Sequence, residues 1–317
     1  NQIMHGTLFG FVLYLCTLIK IPRPMKTLKI IKKEYQRIGY NENDIQPVEY
    51  LEVSAQYNDH GQIVQEERFD PDGNLNTLTI NVYNENNLLQ QMEQFDMDHI
   101  LLQKTVCEYN ENQQLQKENN TFGSDEQVYV TRYIYDDEGN LLRREMYVDE
   151  KLDYVENLYE YSNGLLVKEV ENDEYGKELN VHHYSYNEKG LLTQHVRDEV
   201  QNKDRRTYEY TYDDNDNCVK ELVYDYDNAL IAKIYRQYNE DNKLTETIEE
   251  DLDHYRKITL EYDGDLVVKN SIFNKEGQLQ AWAEYSYNAD GKENCSREFI
   301  QDEMQPDHFR QIRETRY

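Results

Sequence analysis

Apolar and polar residues alternate along most of this chain. Tyr208, Tyr210 and Tyr212 fall on one side, and Thr207, Glu209 and Thr211 on the other. That period of two predicts a strand. Similar stretches recur, as in "YIYDDEGNLLRREMY" (133–147) and "AEYSYNADGKENCSREF" (283–299). A unit close to Tyr-[Asn/Asp]-x-x-[Gly/Asn]-x-[Leu/Ile/Val] begins at Tyr57, Tyr83, Tyr109, Tyr135, Tyr161, Tyr186, Tyr212, Tyr238, Tyr262 and Tyr287, in steps of 24 to 26 residues. Fixed self-similarity of this kind marks a repeat architecture. Weaker copies lie between the main ones at Phe69, Phe95, Tyr224 and Phe273, so each period holds two strands and two turns.

The unit is turn chemistry. Asn or Asp after the aromatic residue hydrogen-bonds its own backbone and starts the reversal. Gly, or Asn at positions 87 and 242, supplies positive φ where the chain turns back. The pattern predicts an all-β fold: an antiparallel β-hairpin repeat array of about twenty strands over 40–317, forming a long curved or coiled sheet. A base often follows two residues after the Leu/Ile/Val position, at Lys117, Arg143, Lys168, Lys220 and Lys269. Simple hairpin register places Arg143, Lys168 and Lys220 opposite Tyr133, Tyr159 and Tyr210, as cross-strand cation–π pairs.

The N-terminal part departs from this pattern. Leu28, Ile31, Tyr35 and Ile38 share a helical face, and Gly39 is a plausible stop, which predicts a basic amphipathic helix over 25–39. Such a helix would cap the first strand edge or, as a rival role, lie on a membrane surface. Residues 1–24 contain the apolar run "TLFGFVLYLCTLI", too short for a typical membrane span and with no basic region before it. They read as an apolar leader, as spurious upstream translation, or as a buried segment.

The net charge of -29 disfavours nucleic acid and anionic membranes as partners. Cys16, Cys107, Cys218 and Cys295 are too dispersed for zinc or a disulfide framework and suggest a cytoplasmic setting; a true leader would instead imply a secreted or cell-surface one. No HExxH, GxSxG, P-loop or GxGxxG occurs. His182 and His183 are adjacent, so a strand sends them to opposite faces. Asp70-x-Asp72-x-Asn74 and the run 213–217 have calcium-like composition, but turn formation explains the same residues. The expectation is no enzyme, no cofactor and no metal.

With these residues in view, the Y-x-Y-[D/N] pairs at Tyr133/Tyr135, Tyr184/Tyr186, Tyr210/Tyr212 and Tyr285/Tyr287 resemble the YD repeats of Rhs proteins. Tyr159/Tyr161 fits too, with Ser162 in place of the acid. MORN-like repeats of some antitoxins are similar but use more Gly and Trp. The resemblance implies hairpins coiled into a shell and a toxin- or immunity-associated role. Rhs shells enclose a toxin or contact carbohydrate; this chain is too short for the large cocoon, so the enclosing role is not carried over. The expected function is a non-catalytic scaffold for a protein partner, possible contact residues being Tyr133, Tyr159, Tyr184, Tyr208, Tyr210 and Tyr285. The alternatives are a carbohydrate-binding surface protein and an enzyme with an unrecognised site.

Overall fold

The computed structural model describes residues 27–37, 45–123, 127–289, 291–301 and 309–316; the leader reading of 1–24 lies outside them. The described chain is all strand and turn. Its strands are β1 (Thr27–Arg37), β2 (Ile45–Tyr57), β3 (Ile63–Phe69), β4 (Leu75–Tyr83), β5 (Leu89–Phe95), β6 (Leu101–Tyr109), β7 (Leu115–Phe122), β8 (Tyr129–Tyr135), β9 (Leu141–Val148), β10 (Lys151–Ser162) and β11 (Leu165–Asn172). They continue as β12 (Glu178–Tyr186), β13 (Leu192–Glu199), β14 (Asp204–Tyr212), β15 (Cys218–Tyr224), β16 (Leu230–Tyr238), β17 (Leu244–Asp251), β18 (Tyr255–Asp263), β19 (Leu266–Phe273), β20 (Leu279–Tyr287), β21 (Glu293–Gln301) and β22 (Phe309–Arg316). Each pairs antiparallel with the next, and β22 returns to pair with β1. The hairpin array is therefore a closed barrel of 22 strands.

The turns show why the repeat has its composition. In the turn after Tyr135, Asp136 Oδ1 accepts the backbone N–H groups of Glu138 and Asn140. Asn140 Nδ2 donates back to Asp136 Oδ2 at 2.9 Å. Gly139 stands at φ +88°, where a side chain is strained, and Asn87 takes the same role at φ 62°. Asp70 and Asp213 use both carboxylate oxygens in the same way, so the calcium-like composition at these two turns serves the chain reversal.

The tyrosine of each unit does a second job. Tyr83, Tyr109, Tyr135, Tyr186, Tyr212, Tyr238, Tyr262 and Tyr287 donate their hydroxyls to a main-chain carbonyl 18 to 20 residues upstream, at 2.6 to 3.2 Å. The acceptor sits just after the preceding tyrosine turn, as with Leu115 for Tyr135. Successive repeats are thereby clasped at one end of the barrel. At the other end, Phe69, Phe95 and Phe273 hold the equivalent positions and carry no hydroxyl; there Asn172 Nδ2 donates to the Val155 carbonyl at 2.8 Å.

Each tyrosine turn also changes the register. Tyr135 pairs with Leu141, but Ile134 pairs with Arg143 and Tyr133 with Arg144, because a bulge skips one residue. The expected pairs of Tyr133, Tyr159 and Tyr210 with Arg143, Lys168 and Lys220 are thus displaced by one. Arg143 pairs with Glu145 at 2.6 Å, Lys168 with Glu160 at 2.9 Å, and Lys220 stands opposite Thr211. Tyr133 instead lies under the guanidinium of Arg144, at 5.8 Å.

The expected N-terminal helix is also corrected: residues 27–37 are β1, paired with β2 along its whole length and with β22 at Ile31–Glu34. Helical spacing in that segment is outweighed by two open edges that need hydrogen-bond partners. The basic residues of β1 suit its acidic neighbours, as in the ion pair of Lys32 with Glu52 at 2.5 Å. Ile38 and Gly39 lie outside the described residues.

A perimeter of 22 strands is at least about 105 Å at the usual strand spacing, too wide for side chains to fill. Burial agrees. Among the described residues, seven apolar residues are buried, such as Val53, Ala55 and Val130, and eight polar ones, such as Thr105, Glu145 and Asn157. Among the described residues the wall is one sheet thick and holds no conventional core.

The closing seam is ionic. Glu314 on β22 is buried, and its carboxylate accepts from Arg316 Nε at 2.8 Å, Arg297 Nε at 3.2 Å and Gln311 Nε2 at 3.3 Å. Arg316 reaches across β1 to Glu49 at 3.3 Å. The hydrogen bonds from Arg316, then Arg297 and Gln311, overcome burial and pull the Glu314 pKa down to about 2. An unfolded glutamate titrates near 4.5, so the stabilisation is complete above that pH and disappears as pH falls towards about 2. Glu314→Gln should cost about 2–3 kcal/mol at neutral pH and flatten acid unfolding between these two values, read by thermal melts across pH. Tyr135→Phe should cost about 0.5–1.5 kcal/mol, because the Leu115 carbonyl loses its tyrosine donor.

Candidate contact face

Strand alternation sends Tyr133, Tyr159, Tyr184, Tyr208, Tyr210 and Tyr285 to one face of the wall. The register links them: Tyr184 pairs with His195, which pairs with Tyr208; Tyr159 pairs with Glu169, and Tyr210 with Glu221. All six are half-buried, while Arg132, Glu160, Ser185, Glu209 and Glu284 on the other face are exposed. Buried residues lie on both faces, Val130, Glu145 and Val170 being opposite the tyrosines; we assign the tyrosine face to the lumen because its rings and charged groups form a continuous network from strand to strand.

These tyrosines are engaged within the sheet. Tyr133 donates its hydroxyl to Glu118, Tyr184 donates to Glu169 at 3.3 Å, and Tyr285 accepts from Asn270 Nδ2 at 3.1 Å. Burial, then the adjoining carboxylate, pushes the phenol pKa of Tyr133 and Tyr184 well above the usual range. Burial followed by Glu221 pushes Tyr210 up to about 12. All three are neutral phenols at physiological pH, suited to donating hydrogen bonds and not to acting as bases.

At the middle of this face the structure assembles a cluster across β11 to β14. Tyr184, His195 and Tyr208 stack in series, with ring centroids 4.8 and 5.2 Å apart and interplanar angles of 9° and 15°. His182 Nδ1 lies 2.8 Å from His195 Nε2, so one proton bridges the two rings. The other nitrogen of His182 is 3.7 Å from Glu171 Oε1. Burial, then His182 and Arg197, lowers the pKa of His195 and keeps it neutral at pH 7. The sequence separates His182 from His183 correctly, since they sit on opposite faces. It does not reveal His195 as the partner, because that contact spans a turn and depends on the register. The one clue is parity: His182 and His195 occupy same-face positions on consecutive strands.

Stacking limits the chemistry available here. Tyr184 and Tyr208 sandwich His195, and Arg144 lies over Tyr133, so several ring faces are already covered. Trp282 stacks on Phe299 at 4.5 Å on the opposite face, with Lys269 5.7 Å from its ring. Among the described residues, no group of three or more His, Cys, Asp or Glu side chains is arranged to hold a metal ion. Cys107, Cys218 and Cys295 are free thiols.

No protein-family model matches the chain, and no curated protein matches it. Among solved structures it is similar to one described as TcdB2-TccC3, at 13% identity and a TM-score of 0.37, covering 86% of this chain and 19% of that one. A further TcdB2-TccC3 structure, with TEV, is covered over 15% of its chain. The chain is also similar to a porin-like protein from Bacteroides uniformis ATCC 8492, at 12% identity and a TM-score of 0.34, covering 91% of this chain and 96% of that one.

Because His195 binds its proton more weakly when folded than when unfolded, acid favours the unfolded chain as pH falls below the ordinary histidine range. His195→Asn should therefore melt with a smaller drop than the parent between about pH 7.5 and about pH 5.5. An equal drop in the two proteins would remove His195 from this acid response.

Proposed function

We propose that this chain is a non-catalytic interaction module, a closed β-repeat barrel that binds a basic protein partner. The observation that carries this reading is where the acidic excess lies. Exposed carboxylates stand at the turn tips, as at Glu85, Glu111, Asp137, Glu188, Asp214 and Glu240. A ring of such groups on a low-dielectric wall attracts cations and speeds their association. Most of the inner tyrosines support a structural role, since they bond to or stack on groups of neighbouring strands. A catalytic role finds less support: the tyrosines are held as neutral phenols and His195 as a neutral imidazole inside a stack.

A glycan partner relies on open aromatic faces, and the stacking in the tyrosine cluster disfavours that alternative. A bilayer-spanning barrel needs an apolar outer band. The outer face here carries Arg132, Arg143, Lys168, Lys220 and Lys233, and a Lys or Arg at the midplane costs about 2–4 kcal/mol. The free thiols support a reducing compartment. The Rhs resemblance makes a toxin, or the factor that neutralises one, the first partner class to test.

A lysine-rich peptide should bind the barrel and lose at least about tenfold in affinity between low and high ionic strength. A neutral dextran should show no retention at either. Tyr208→Ala/Tyr210→Ala, confirmed as folded, should bind the peptide as the parent does, since these side chains serve the wall; weaker binding would make the tyrosine face the contact surface. Unchanged binding would leave the tyrosine face a structural layer, and salt-insensitive binding would reject the basic partner.

A further inference from the structure

The two rims of the barrel are built from the same kind of turn but differ in chemistry. Asn84 Oδ1 accepts the N–H groups of Asn86 and Leu88 at the tyrosine end, and Asp96 Oδ1 accepts those of Asp98 and Ile100 at the other. At the tyrosine end the tips are Glu85, Glu111, Asp137, Glu188, Asp214 and Glu240. At the opposite end, comparable tips carry Met97 at 57% exposure, Tyr175 at 85%, Tyr226 at 62% and Leu252 at 80%, with Val200 at 38% in the intervening loop. Turn geometry does not require apolar residues there, because the tyrosine rim forms its turns with acids.

Four of these side chains form a row. Tyr175, Val200, Tyr226 and Leu252 belong to successive loops on that rim, between β11 and β12, β13 and β14, β15 and β16, and β17 and β18. Loops on one rim recur every second strand, roughly 10 Å apart measured across the strands. A shallow depression within the row is lined by Val200, Lys203, Arg205 and Tyr226. Acids flank the apolar tips, among them Asp173, Asp225, Asp227, Asp251 and Asp253. An apolar row set among carboxylates complements a surface that is both apolar and cationic. It opposes a second copy of this acidic chain, whose rim would bring like charge against like.

We propose that the rim carrying Tyr175, Val200, Tyr226 and Leu252 is a docking surface for a basic amphipathic helix of a partner protein. This deepens the proposed function and rests on it, by naming a surface and the form of the partner. A helix repeats a side-chain position every seven residues at about 10.5 Å, which matches the spacing of the tips. Lysines flanking that apolar stripe would meet the aspartates of the turns. A strand of three residues covers the same distance but sends successive anchors to opposite faces, so it fits less well.

The test uses the full chain and a labelled helical peptide of lysine and alanine with leucine at every seventh position, followed by fluorescence anisotropy. Tyr175→Ser/Tyr226→Ser/Leu252→Ser should bind it at least about tenfold more weakly than the parent. Leu158→Ser/Tyr235→Ser, at apolar side chains exposed on the wall away from both rims, should stay within about twofold. A peptide with serine in place of leucine should bind the parent about tenfold more weakly. If the parent binds the peptide and the apolar-rim variant binds it equally well, the rim assignment falls while the basic-partner reading stands. If the parent fails to bind at low salt, both fall. Sedimentation and vesicle flotation complete the experiment. A parent dimer abolished by the apolar-rim substitutions would assign the rim to a second copy. Flotation with phosphatidylcholine vesicles that the same substitutions abolish would assign it to lipid. Either result overturns the proposal.

Discussion

Closure of the sheet is the constraint on which the rest depends. A wall one sheet thick, with few buried side chains, draws little stability from a packed interior. Its backbone groups must be paired, and an open array would leave one strand unpaired at each end. The pairing of β1 with β22 removes both edges at once. The ionic cluster around Glu314, with Arg316 bridging to Glu49, holds that junction where apolar packing is thin.

Stability elsewhere comes from local, repeated devices. Most tyrosine turns have an acid or amide that satisfies the reversing backbone, and most have a hydroxyl that clasps the preceding repeat. A net hydrogen bond contributes about 1 kcal/mol, so a ring of eight clasps matters to a wall without a core. These eight tyrosine clasps lie at one rim, which leaves the other rim freer to vary. That division is consistent with one rim being mostly polar while the other carries Met97, Tyr175, Tyr226 and Leu252 among its tips.

The inner face follows from the same economy of space. Tyrosine, histidine, arginine and glutamate alternate with their cross-strand neighbours and bond to one another, as in the pairing of His182 with His195 and of Tyr133 with Glu118. Residues that look like a binding surface in sequence are thus also the lateral cement of the wall. A partner that reaches the lumen meets hydroxyls and ring edges; one that approaches the freer rim meets apolar tips among aspartates.

The sequence by itself determined the local structure. A period of two, Asn or Asp at the turn, Gly or Asn at positive φ and a step near 26 residues encode strand, reversal and repeat through contacts within a few residues. Same-face grouping of Tyr208 with Tyr210, and the separation of His182 from His183, were legible for the same reason. Tertiary structure decided whatever depends on distant pairing. Residues 27–37 read as a helix on their own and became a strand because two edges needed partners. One bulge per tyrosine turn shifted each returning strand, so Arg144 and not Arg143 met Tyr133. The partnership of His182 with His195 and the segregation of apolar tips to one rim arise from strand register and from the alternation of loops between ends. A one-dimensional pattern does not record which end of a closed barrel a loop occupies until the number and direction of the strands are set.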